Sequence, residues 1–265
     1  MYPVLLNSPH LTIGSYSVFL AVAVVLSTAL AVREAERRTT GLTYGLALCA
    51  LAGALVGARA FWILQFSHPG QLWRALMIWS PGLVLYGGVA GGMAVAVVGL
   101  HRRRVPILPA LDAAVPYLAL GEGIARIGCF LAGCCWGRPC GLPWAVRFPA
   151  GSLAHQHQIE QGFVEASSTI PLPVHPTQLY MMAGLFLVFA LLKVGLARFP
   201  FPGFVLTAYL FLYGALRFTV EAFRGDSERV FASMTLSQII SLAVCVLAAG
   251  ALAVVGMRRL RTSVL

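Results

Sequence analysis

Charged residues stand deep inside stretches of chain that are largely apolar, among them Arg59, Glu122, Arg126, Arg217 and Glu221. An ion at mid-bilayer costs about 2.5–3.5 kcal/mol on insertion scales, which makes each a candidate for function. Glu122/Arg126 and Arg217/Glu221 are spaced i,i+4, so an ion pair on one helix face is the structural reading. Their chemistry points further. A guanidinium grasps a phosphate through two parallel N–H donors and stays charged where the dielectric is low. Three guanidiniums at one depth repel unless an anion stands among them, and a glycerophospholipid phosphate near the outer headgroups is such an anion. Tyr16, Tyr86 and Tyr213 fall near the same layer, either as hydrogen-bonding partners or as members of the interfacial aromatic belt.

The elements that must position these residues are legible in the composition. With 59% hydrophobic and 11% charged residues among 265, the chain lacks the charged surface of a soluble domain. Apolar runs at Leu11–Val32, Thr43–Phe66, Gly82–Leu100, Ala110–Ala132, Pro176–Leu196, Gly203–Phe223 and Met234–Met257 are each long enough to cross a bilayer. The expectation is an all-α integral membrane protein of seven transmembrane helices: one membrane domain over 1–265, with a small external head, Gly137–His175, between helices four and five. The start Met1-Tyr2-Pro3-Val4 has no basic region, so the first run reads as a permanent span.

Arg33, Arg37, Arg38, Arg102, Arg103, Arg104, Lys193, Arg198, Arg258, Arg259 and Arg261 follow alternate spans. The positive-inside rule puts them in the cytoplasm, with the N-terminus outside and the C-terminus inside. The net charge of +10 reads as mostly topology and attraction to the lipid bilayer, and no nucleic-acid partner is expected. At 1.5 Å per residue, Arg59 and Arg126 lie roughly 24 Å, and Arg217 roughly 21 Å, from the cytoplasmic starts of their spans. They share the outer half of the bilayer.

Tyr86-Gly87-Gly88-Val89-Ala90-Gly91-Gly92 opens the third span, where small residues admit either a neighbouring helix or a ligand. Cys129, Cys134, Cys135 and Cys140 form a C-x4-C-C-x4-C pattern that matches no common zinc or iron–sulfur spacing. Residues i and i+5 of a helix diverge by about 140°. These cysteines read as buried apolar packing, or as a disulfide of Cys134 or Cys135 with Cys140 on the oxidising side. Cys49 and Cys245 read as packing. His155-Gln156-His157 has no acidic residue directly beside it, so no metal is expected there. Trp144–Phe148 alternates as a short strand does.

The run Ala125-Arg126-Ile127-Gly128-Cys129-Phe130-Leu131-Ala132-Gly133-Cys134-Cys135-Trp136-Gly137-Arg138 resembles the signature of the prolipoprotein diacylglyceryl transferase family, G-R-I-G-N-F-x-N-x-E-x-W-G-R. Tyr86-Gly87-Gly88 resembles its H-G-G, and Val174-His175-Pro176-Thr177-Gln178-Leu179-Tyr180 its H-P-[ST]-Q-L-Y. Tyr213-Gly214-Ala215-Leu216-Arg217-Phe218-Thr219-Val220-Glu221-Ala222-Phe223-Arg224 resembles Y-G-x-x-R-F-x-x-E-x-x-R. The four matches occur in order, and Tyr16 also fits.

The resemblance implies a bacterial inner-membrane enzyme that moves the diacylglyceryl group of phosphatidylglycerol onto the lipobox cysteine, beside the signal peptide, of a prolipoprotein, releasing glycerol 1-phosphate without a cofactor. Arg126 and Arg217 would clamp the phosphate, Glu221 would orient Arg217, and Tyr213 would hydrogen-bond lipid or guanidinium. Tyr16, Arg59, Gly87, Gly88, Cys129, Cys134, Gly137, Arg138, Gln178 and Arg224 complete the expected substrate site, and Arg138 and Arg147 would meet headgroups or peptide from the head. The chain departs from the pattern at Tyr86, Cys129 and Cys134, which stand for the family's His, Asn and Glu. The base is therefore open: Tyr86, whose phenolate gains from nearby cations, or His175, whose titration range suits the task. Two alternatives keep the lipid site and change the outcome: a thiol-dependent redox or acyl-transfer enzyme using Cys134 or Cys135, and a phospholipid-binding paralogue without catalysis.

Overall fold

The computed structural model describes residues 2–8, 11–66, 84–165, 167–199 and 201–262. Among the described residues, seven long helices and one short one dominate. A hairpin of β1 (Val4–Ser8) and β2 (Leu11–Gly14) leads into α1 (Ser15–Arg37), followed by α2 (Tyr44–Phe66), α3 (Leu85–Arg102) and α4 (Ile107–Ala132). The short α5 (Leu153–Glu160) precedes α6 (Thr177–Arg198) and α7 (Phe204–Glu221). A second hairpin, β3 (Arg229–Phe231) with β4 (Met234–Thr235), then leads into α8 (Leu236–Thr262).

Six helices, α1, α2, α4, α6, α7 and α8, are long and apolar enough to cross a membrane. The seventh, α3, has 18 residues, four of them glycines near its start, and closes on His101 and Arg102. Two expected span starts shift. Leu11–Gly14 pairs with Val4–Ser8 as an antiparallel strand, and the backbone N–H of Ser15 donates to the Pro3 carbonyl at 3.0 Å, so α1 begins four residues later than its hydrophobicity suggests. Met234 and Thr235 belong to β4. Helix α8 starts behind a capping box in which Gln238 N–H donates to Thr235 Oγ1 (3.2 Å) and Thr235 N–H to Gln238 Oε1 (3.0 Å). Gly82 and the side chains of Arg258, Arg259 and Arg261 lie outside the described residues.

The chain forms two compact units, residues 28–114 and residues 1–27 with 115–265, and passes between them within α1 and α4. In the smaller unit, α2 and α3 cross through glycines. A Cβ on Gly57 would strike the Gly87 carbonyl, one on Gly87 would strike Gly57 O and Phe61 Cβ, and one on Gly91 would strike the Gly53 carbonyl. Lipid tails supply no hydrophobic drive between helices, so this close backbone approach is what packs them. Further along, Leu46 of α2, Leu100 of α3 and Ala110 of α4 form a buried cluster.

In the larger unit, the core joins Val115 and Ala119 of α4 to Met181, Leu185, Val188, Leu192 and Leu196 of α6 and Val205, Tyr209 and Val220 of α7. Glycines again set the approach: Gly128 meets Tyr16 and Phe19 of α1, Gly184 takes Leu216, and Gly214 takes Cys245 of α8. Between α4 and α6 a separate small core forms from Phe148, Ala154 and Val174 with Trp136 packed against it. Buried Gln158 holds this segment by exchanging hydrogen bonds with the Leu172 backbone, donating at 3.1 Å and accepting at 2.8 Å. The strand expected at Trp144–Phe148 is reduced to one bridge, Val146 to Val174, because Leu142–Ala145 closes a turn immediately before it.

Candidate active site

Glu122 and Arg126 lie one turn apart on α4, and Arg126 Nη2 donates to Glu122 Oε1 at 2.6 Å. Tyr213 of α7 donates its hydroxyl to the same carboxylate oxygen at 3.3 Å, joining the two helices through one acid. One turn further along α7, Arg217 Nη2 lies 2.9 Å from Glu221 Oε2, close enough for a strong ion pair though off the line of a hydrogen bond. The same nitrogen donates to Ser237 Oγ at 3.3 Å. Glu221 is 2% exposed, and its Oε1 accepts from Thr235 Oγ1 at 3.2 Å. Tyr213 stands within electrostatic range of both Arg126 and Arg217, so the two guanidiniums belong to one polar neighbourhood. Arg126 Nε is buried and has no hydrogen-bond partner among the described residues. A buried donor left over at a cation is suited to an anion.

The end of α4 folds back on itself. Gly133 adopts φ +76°, the Cys134 N–H donates to the Cys129 carbonyl (3.1 Å), and the Gly133 N–H reaches the Phe130 carbonyl (3.3 Å). This is a Schellman termination, which glycine permits because it lacks a Cβ. Cys135 follows with φ 61°. The turn overrides the helical divergence of i and i+5: the sulfurs of Cys129, Cys134 and Cys135 all lie within 4.8 Å of one another. Hydrogen bonds from the Cys129 and Cys134 thiols lower the pKa of Cys135, with Arg224 and Arg126 adding to the effect, while the Cys134 thiol, acting as donor, is pushed up. All six cysteines are free thiols, and Cys140 stands apart from the trio. Tyr16 lies within electrostatic range of the three cysteines and of Arg126.

The His-Pro-Thr-Gln stretch secures that turn. Thr177 Oγ1 donates to the Cys135 carbonyl and Gln178 Nε2 to the Cys134 carbonyl, both at 2.6 Å, and both side chains are almost fully buried. His175 is tied by its backbone, its N–H donating to Arg138 O and its carbonyl accepting from Gly137 N–H, each at 3.0 Å. Its ring Nδ1 lies 3.2 Å from Tyr180 Oη, which accepts from Trp144 Nε1 at 2.7 Å. Gly137 sits where a Cβ would meet His175 and the Phe223 carbonyl. Arg138 Nε donates to the Arg224 carbonyl at 3.1 Å, and Arg147 Nη1 to the Pro171 carbonyl at 3.0 Å. Arg224 is itself engaged in a two-pronged pair with Asp226, both bonds 2.8 Å. His155 accepts the Gly151 N–H, and His157 stacks beside Trp136, so the two do not converge.

Arg59, Tyr86, Gly87 and Gly88 belong to the smaller unit. Arg59 is buried, with its guanidinium carbon 4.8 Å from the centre of the Trp62 ring. Tyr86 is exposed in the first turn of α3. Gly87 and Gly88 both face α2, Gly87 against Gly57 and Phe61, Gly88 against Ala54 and Ala58.

Thr177, Tyr180, Asp226, Thr235 and Ser237 complete this network and carry no charge anomaly in the sequence that singles them out. Thr177 and Tyr180 stood within a recognised motif, and the Thr235-x-x-Gln238 capping pattern was the available signal for the start of α8.

Residues 3–254 match the family described as prolipoprotein diacylglyceryl transferase. Proteins named phosphatidylglycerol–prolipoprotein diacylglyceryl transferase are similar along most of their length. The one from Clostridium tetani is 28% identical over 91% of this chain and 93% of its own. That from Finegoldia magna is 31% identical over 87% and 86%, and that from Lactiplantibacillus plantarum 32% identical over 91% and 84%. A match that takes in the paired acids and arginines of α4 and α7, the Schellman turn and the segment that pins it establishes that the chain belongs to the prolipoprotein diacylglyceryl transferase family.

Proposed function

We propose that this chain transfers the sn-1,2-diacylglyceryl group of phosphatidylglycerol to the lipobox cysteine of a prolipoprotein and releases glycerol 1-phosphate. The supporting observation is that Arg126 and Tyr213 share the Glu122 carboxylate, with Arg217 one turn beyond Tyr213 on α7 and a buried Arg126 donor unspent. The thiolate is the nucleophile. Its sulfur forms a bond to the glyceryl carbon as that carbon's bond to the phosphate oxygen breaks, and the thiol proton passes to a base. The leaving phosphate gathers charge, which pre-oriented guanidiniums stabilise in a site of low dielectric. Glu221 keeps Arg217 in place, and Glu122 does the same for Arg126. Tyr86 and His175 are the two candidate bases; His175 has Tyr180 to fix its ring.

The reading carries a topology with it: a bacterial inner-membrane protein of seven spans with α3 as the third, the N-terminus and the 137–175 head in the periplasm, and the C-terminus in the cytoplasm. Purified protein in phosphatidylglycerol vesicles with a lipobox peptide is expected to yield a thioether-linked diacylglyceryl peptide, and Arg126→Ala to reduce the rate by at least about 100-fold. Absence of product with the intact chain overturns the proposal, as does failure to rescue cells depleted of their own transferase. The clustered sulfurs support one alternative, thiol-dependent transfer; abolition of activity in a Cys134→Ala/Cys135→Ala protein that keeps its fold would favour it.

A further inference from the structure

Three sulfurs meeting at one helix terminus call for an explanation that packing does not provide. Cys134 and Cys135 are partly accessible, and two of the three cysteines replace the Asn and Glu of the family pattern. Cys135 holds φ 61°, a left-handed conformation that a non-glycine residue rarely adopts and that persists only where its surroundings impose it. Here the surroundings are explicit: two buried side chains, Thr177 and Gln178, hold the carbonyls of Cys135 and Cys134 at 2.6 Å. The backbone is thus pre-formed to turn its thiols toward one point.

We propose that Cys129, Cys134 and Cys135 form a binding site for a single thiophilic d10 cation of the Cu+ or Zn2+ class. Thiolates select such ions over the hard cations. A metal bonded at about 2.3 Å to three sulfurs in a plane holds them about 4 Å apart. The separations here, all within 4.8 Å, close to that value with small side-chain rotations. Three thiolates around a Cu+ or Zn2+ ion leave a net negative charge, and Arg126 and Arg224 both lie within electrostatic range to offset it. A three-sulfur set satisfies Cu+ as it stands, whereas Zn2+ takes a water as fourth ligand. The spacing in the sequence hides the site because helical geometry separates residues five apart, and only the Schellman turn reunites them.

The test uses the full-length protein, reduced and in detergent, titrated separately with Cu+ and with Zn2+ in competition with a chelator specific for each. One equivalent of one of these ions is expected to stay with the protein, and mass spectrometry is expected to show the trio protected from alkylation while Cys140 and Cys49 remain reactive. Cys129→Ser, Cys134→Ser and Cys135→Ser variants should each lower retention at least tenfold, with Cys140→Ser unchanged. The protection measurement needs no variant and so survives any folding failure. Complete loss of both ions to the chelators, retention indifferent to the three substitutions, or a disulfide within the trio of the protein as isolated would overturn the proposal. Metal binding is read without reference to diacylglyceryl transfer, so the site and the enzymatic reading fail independently.

Discussion

Glu221 is the acid on which the α7 end of the polar network turns. It is buried, faces Arg217, and accepts from Thr235. Glu221→Ala leaves the partly buried Arg217 without its counter-charge; removing one partner of a fully buried pair costs about 3–5 kcal/mol, and the partial exposure of Arg217 keeps the loss below that range. Thermal unfolding in detergent is expected to show that loss, together with a fall in transfer that Glu221→Gln only partly avoids. Gln178→Ala is expected to cost about 1–3 kcal/mol, because the Cys134 carbonyl loses its buried donor. At this scale the sequence revealed the charges and their i,i+4 pairing, since ions in apolar runs stand out. It did not reveal who answers them across the fold. Tyr213 on Glu122, Thr235 on Glu221 and Asp226 on Arg224 depend on tertiary approach, as does the bond from the Gln178 amide to the Cys134 carbonyl.

Between elements, the deciding contacts are glycine contacts. Gly57→Leu or Gly87→Ala forces a carbon into the backbone of the opposing helix, where no side-chain rotation relieves it. Both are expected to collapse the monodisperse peak on size-exclusion chromatography. Gly45→Ala, in the same helix α2 but with open space at its Cβ, is expected to stabilise by about 0.5–1 kcal/mol. Hydrophobic length located each long helix to within a few residues, because a bilayer sets that length. It misplaced the ends of two of them. Leu11–Gly14 and Met234–Thr235 are apolar enough to extend a span, yet hairpin pairing claims them, and the Thr235–Gln238 capping box marked the true start of α8. The cysteine turn was hidden for a related reason: helical periodicity stops applying at Gly133, where φ becomes positive.

For the whole molecule, the asymmetry of Lys and Arg predicts an orientation that fusions can read. A fluorescent protein fused after Leu265 is expected to fluoresce in cells, while alkaline phosphatase at the same point stays inactive. The opposite pattern would reverse the topology and count against the proposed placement of Arg126 and Arg217 toward the outer leaflet. The membrane class was legible because composition alone fixes the solvent, and the family because its motifs recur in order. The partition into two compact units was not, since no change in composition marks residues 28 or 115.

The hold of Thr177 and Gln178 on the last two carbonyls of the α4 turn reaches beyond local order. The opening turn of α6 and the closing turn of α4 are coupled as one mechanical piece, so a rocking of α6 drags the thiols along instead of sliding past them. Motion that admits a bulky two-tailed molecule must either find its hinge elsewhere or break both bonds at once.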